Sequence, residues 1–106
     1  MTMFNKREKA FEEKYKHDQD LQFKVEVRRN RLLGLWVAEM LGKSEDEAQA
    51  YAKEVVAADF EEPGDADVVR KVLADFEEAG TEYSEHRLRK KMEEFLQIAK
   101  EQLMEE

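Results

Sequence analysis

At 106 residues, the chain is the size of one domain with a single modest core. It contains no cysteine, which excludes a disulfide scaffold, thiolate catalysis and cysteine-ligated metals. Hydrophobic residues make up 42% and charged residues another 42%, so composition does not make the body disordered. The formal net charge of −8 argues against general nucleic-acid binding, because an acidic body repels phosphate. That charge is unevenly divided. Residues 1–31 hold nine Lys/Arg against six Asp/Glu, whereas residues 32–106 hold nine against twenty. A basic N-terminal stretch is thus tied to an acidic body, a build suited to reaching a partner.

Residues 1–19 read as an arm. Phe4, Phe11 and Tyr15 fall on one helical stripe, with Ala10 beside it, and charged tails that merely solvate do not place aromatics in register. The favourable spacing of Glu12 and Lys16 is offset by the like-charged pair Glu8 and Glu12. A short helix of this kind is marginal alone in water, so the arm is expected to be mobile when free and helical when bound. A second arrangement folds it back against its own body, Phe4, Phe11 and Tyr15 extending the core.

Residues 20–106 read as a four-helix bundle, all-α. The first helix of this body spans roughly Asp20 to Leu41, with Leu21, Val25, Leu32 and Trp36 as its stripe. Gly42 supplies the left-handed residue after it, and Ser44 with Glu47 forms a capping box for the next helix. That second helix carries Ala48, Tyr51, Ala52, Val55, Val56 and Phe60. Pro63 interrupts the pattern, and Asp65 is placed to cap a third helix carrying Val68, Val69, Val72, Leu73 and Phe76. After Gly80, Ser84 caps a fourth with Leu88, Met92, Phe95, Leu96, Ala99 and Leu103. No run approaches the roughly 18 apolar residues of a membrane span, and no signal-peptide core follows the basic residues. A cytoplasmic protein without direct membrane insertion is the expectation.

Candidate chemistry is sparse. His17 and His86 lie far apart, and solvated histidines are the expected reading rather than metal ligands. Glu61, Glu62, Asp65 and Asp67 match a calcium loop in composition but not in spacing. No glycine-rich phosphate loop exists, and no cofactor or metal is expected. The cluster Arg28, Arg29, Arg31 with Trp36 could hold a nucleotide or anion weakly, through guanidinium forks and an indole plane. The plainer reading pairs these arginines with neighbouring acids and puts Trp36 in the core. Arg87, Arg89, Lys90 and Lys91 are expected to balance the acidic second and third helices.

The strings Phe4-Asn5-Lys6-Arg7-Glu8-Lys9-Ala10-Phe11-Glu12, His17-Asp18 and Arg28-Arg29-Asn30-Arg31-Leu32-Leu33-Gly34-Leu35-Trp36 resemble the zeta-subunit family of alphaproteobacterial F-type ATP synthase inhibitors. Ala50 to Val56 and Ala58 to Asp65 extend the likeness in the same order. The resemblance implies a non-enzymatic inhibitor whose N-terminal segment enters a catalytic interface of the synthase head. There it would touch the alternating large subunits and the central rotor subunit and stop rotation in the hydrolytic direction. On that basis Phe4, Asn5, Lys6, Arg7, Glu8, Phe11, Glu12 and Tyr15 are the partner-binding residues. The free protein is expected to be a monomer, held at the inner membrane only through the synthase. A nucleotide- or anion-sensing bundle built on Arg28, Arg29, Arg31 and Trp36 is the alternative function.

Overall fold

A computed structural model describes residues 6–60 and 64–106. Phe4, Asn5, Glu61, Glu62 and Pro63, all named above, lie outside the described residues. The described residues form five helices and no strand: α1 (Lys6–His17), α2 (Gln19–Met40), α3 (Glu45–Ala58), α4 (Ala66–Glu78) and α5 (Glu85–Glu105). The four expected body helices are present. The difference is α1: the arm is already helical without a partner, and it packs on α2 and α5. This is the folded-back arrangement. Tertiary contacts supply what the isolated segment lacks.

The capping signals account for most of the boundaries. Ser44 accepts from the Glu47 N–H while the Glu47 carboxylate accepts from the Ser44 N–H at 2.9 Å, a reciprocal capping box. That bond from the Ser44 backbone is the main reason the Glu47 carboxyl titrates below its ordinary range. Ser84 accepts from the Arg87 N–H. Gly42 and Gly80 follow α2 and α4 with φ of 74° and 76°, and the next N–H donates back to Ala38 O and Phe76 O respectively. Asp65 differs from expectation. It occupies the N-cap of α4 but makes no capping bond, because its carboxylate is turned toward Arg89, 3.2 Å away.

The core gathers Leu33, Val37, Val55, Val68, Val72, Phe76 and Leu88, with Trp36 packed against it. Trp36 meets Phe76, Tyr83 and Phe95 at ring-centroid distances of 6.4, 5.7 and 6.1 Å, the edge-on and tilted geometries aromatic rings favour. On α2 the expected stripe is displaced: Leu33 is fully buried while Leu32 is only half-buried. The inward line is Val25, Arg29, Leu33 and Val37, spaced every fourth residue. Phe60, expected in the core, is instead 59% exposed, since α3 ends at Ala58 and leaves it in the following turn.

Gly34 sets how closely α2 and α3 approach. A Cβ there would lie 2.6 Å from the Ala52 Cα, closer than real carbon atoms stand. Small residues on both helices let their backbones meet, which brings Leu33 and Val55 into one core.

Candidate partner-binding site

The arm meets the body along a polar seam. No residue of α1 is fully buried. Phe11 and Tyr15, one turn apart, are half-buried, as are Glu8 and Glu12, while Lys6, Arg7, Lys9 and Lys16 are exposed. Several contacts fasten the helix. The Arg7 guanidinium donates to the Met104 carbonyl at 2.7 Å. The Lys100 ammonium lies 3.3 Å from the Glu12 carboxylate and 4.2 Å from the centroid of the Tyr15 ring. The Gln22 side-chain amide donates to the Tyr15 carbonyl at 2.7 Å. Between α1 and α5 an open cleft of about 630 Å³ is lined by Glu8, Glu12, Lys16, Gln97, Lys100 and Glu101.

Asp18 makes the corner. Its own N–H closes the last turn of α1 on Lys14 O. With φ −105° and ψ 104° it leaves the helical region, and its carboxylate accepts from the Leu21 N–H at 3.0 Å to start α2. One extended residue therefore separates arm from body.

Lys100 was not among the residues singled out from sequence. The signal was there: it sits among Met92, Leu96, Ala99 and Leu103 on the inward stripe of α5, where a lysine must find a partner. Burial, followed by the Glu26 and Glu12 carboxylates, pushes the Tyr15 phenol above its ordinary value, with Arg29 opposing. Burial, followed by Asp59, likewise raises Glu26.

The second candidate cluster is not brought together. Arg28 donates to Gln102 at 3.1 Å and to Glu106 at 2.5 Å, at the C-terminal end of α5. Arg29 turns inward, 8% exposed, bonding Asn30 at 3.0 Å and lying 3.8 Å from the Asp59 carboxylate. Asn30, also buried and not singled out from sequence, donates to Asp59 at 2.8 Å. Arg31 points away to Gln49. Neighbouring residues on a helix are turned about 100° apart, so 28, 29 and 31 serve three directions while Trp36 joins the aromatic core. On α5, Lys91 pairs with Glu94 and Arg89 with both Glu85 and Asp65, so these cations are matched largely within their own helix. His86 is exposed, and no group of three or more metal-ligating side chains forms among the described residues. No described helix is long and apolar enough to cross a membrane.

Comparison with known proteins bears on the same arm. The family profile described as ATPase inhibitor subunit zeta matches residues 1–102. A protein solved by solution NMR is 58% identical, superimposes with a TM-score of 0.71, and is matched over 80% of this chain and 96% of its own. No curated protein matches.

Proposed function

Since this chain belongs to the ATPase inhibitor subunit zeta family, we propose that it suppresses ATP hydrolysis by the F-type ATP synthase by placing its N-terminal segment in a catalytic interface of the synthase head. The observation that carries this reading is the construction of α1. It is the basic part of the chain, it buries no residue completely, and a single extended residue, Asp18, joins it to a body with its own core. A helix fastened by an ion pair, a cation–aromatic contact and a few hydrogen bonds is held by about 1–3 kcal/mol. An interface offering apolar pockets to Phe11 and Tyr15 can outbid that. Each such anchor is worth about 2 kcal/mol or more when fully desolvated.

In this mechanism α1 pivots at Asp18, Lys100 gives up Glu12 and Tyr15, and the arm enters the head as a wedge. Phe4, Phe11 and Tyr15 act as anchors, while Asn5, Lys6, Arg7, Glu8 and Glu12 set register against the large subunits and the rotor. The body stays outside. No catalytic group is needed, because a wedge stops rotation mechanically, and rotation in the synthetic direction would expel it.

Steady-state hydrolysis by the isolated head, titrated with inhibitor, tests the reading. Removal of residues 1–15 should abolish inhibition and leave the body folded, since its caps, from Asp18 onward, and its core all lie beyond residue 15. Phe11→Ala and Phe4→Ala should each weaken inhibition about thirtyfold. Lys9→Ala, at an exposed position, should matter much less. Full inhibition by the truncated chain would end the proposal.

A further inference from the structure

Away from the arm seam, the body displays two phenylalanines that its own core does not use. Phe23 of α2 and Phe60 after α3 are 51% and 59% exposed, and their rings stack at 5.6 Å with planes 20° apart. Stacking recovers part of the apolar surface of each ring and leaves the outer faces in water. Beside them an open cleft of about 530 Å³ has Leu21, Phe23, Val27 and Leu103 as the apolar part of its lining. Aromatic and aliphatic groups thus form one continuous surface rather than scattered exposed residues.

The charged groups lining this cleft are three cations, Lys24, Arg28 and Arg31, against one carboxylate, Glu106. Arg28 is matched to Glu106 within the cleft, 2.5 Å away. Lys24 and Arg31 have no ion pair among the described residues; Arg31 meets only the neutral Gln49. In a chain of net charge −8, two cations left unmatched beside an exposed aromatic pair fit a carboxylate-bearing surface. A second copy of the chain is disfavoured, because a symmetric contact through this face would bring Lys24 and Arg31 close to their own counterparts.

We propose that the Phe23–Phe60 face and its adjoining cleft form a second docking surface, taking an acidic segment of the synthase head that inserts an apolar side chain between carboxylates. This rests on the inhibitor reading and deepens it: the face would grip the head's exterior and keep the body in place while α1 enters. Two separate attachments joined by the short Asp18 corner raise the effective concentration of the arm at its site.

Binding kinetics of the full-length chain on the isolated catalytic head test this, with hydrolysis measured in parallel. Phe23→Ser combined with Phe60→Ser should speed dissociation about tenfold or more. The melting curve should stay near that of wild type, because neither ring belongs to the core. Lys24→Glu combined with Arg31→Glu should slow association about tenfold at low salt, and the difference should vanish near ~1 M salt. Unchanged kinetics in either double variant, with wild type still binding and inhibiting, overturns the second surface and leaves the arm mechanism standing. A wild-type dimer in sedimentation that the phenylalanine variant dissolves also overturns it, since the occupant would then be a second copy. Wild type that neither binds nor inhibits the head overturns the inhibitor reading and this inference with it.

Discussion

The seam between α2 and α3 and the seam between α1 and α5 are built from opposite materials. In the first, Gly34 lies against Ala52 so closely that no Cβ fits, and Leu33 and Val55 on either side are fully buried. In the second, half-buried Phe11 and Tyr15 are accompanied by Glu12, Lys100, Arg7 and a backbone carbonyl. Apolar packing at close range is lost all at once when two helices part, because nothing in water replaces it. A polar seam parts more easily, since water can take over each hydrogen bond and screen each charge. The molecule thus pairs a tightly packed apolar body with an arm held through polar contacts that water can replace.

The sharpest way to test that contrast is to damage the body. Phe76→Ala removes a side chain that is 1% exposed and touches both Trp36 and Tyr83. It should cost about 3–5 kcal/mol in denaturant unfolding. A loss below roughly 1 kcal/mol would mean the body is not the rigid half of the pair.

Gly34→Ala probes the close seam directly. Forcing α2 away from the Ala52 backbone should cost about 1–3 kcal/mol, of which the better helix propensity of alanine returns up to about 1 kcal/mol. A net gain in melting temperature would show that the two helices do not need their close approach.

Lys100→Gln addresses the polar seam and should separate the two regions. Losing the contacts to Glu12 and Tyr15, worth about 1 kcal/mol, should raise amide exchange across residues 6–17 about fivefold. The body's unfolding midpoint should move little. Equal loss of protection in α1 and α4 would mean that arm and body open as one unit.

The smallest effect is expected at Glu26, near the junction of the two regions. Burial, then Asp59, raises its carboxyl above the ordinary range, with Arg29 opposing. A carboxyl raised in the folded state favours folding in its protonated form. That contribution is complete below the ordinary range and is lost as pH rises through the raised value. Glu26→Gln should therefore stabilise slightly at neutral pH, by tenths of a kcal/mol given its exposed side, and the gain should disappear in acid. Destabilisation at neutral pH would instead make the Glu26 charge a useful partner of Arg29.

Much of this was legible along the chain. The capping box at Ser44, the stops at Gly42 and Gly80, and the apolar periods of α4 and α5 are local signals. Each depends on residues three or four positions apart, so spacing alone reveals them. Leu32 was misplaced as a core residue because Arg29 occupies the true inward line with Val25, Leu33 and Val37, and a buried arginine disguises a stripe. Phe60 was misplaced because an apolar residue at the end of a period can fall just outside the helix. Lys100 looked like another surface lysine, and only Glu12 and Tyr15, far away in sequence, give it a role.

The sequence by itself determined the all-helical class, the breaks between the body's helices, the division into basic arm and acidic body, and the family. Those properties follow from local backbone preferences, composition and ordered strings of residues. The tertiary structure decided that α1 rests on α5, that Arg28, Arg29, Arg31 and Trp36 scatter in different directions, and that Phe23 and Phe60 meet in the open. Each of these depends on which helix faces which at long separation, and no spacing within a single helix carries that information.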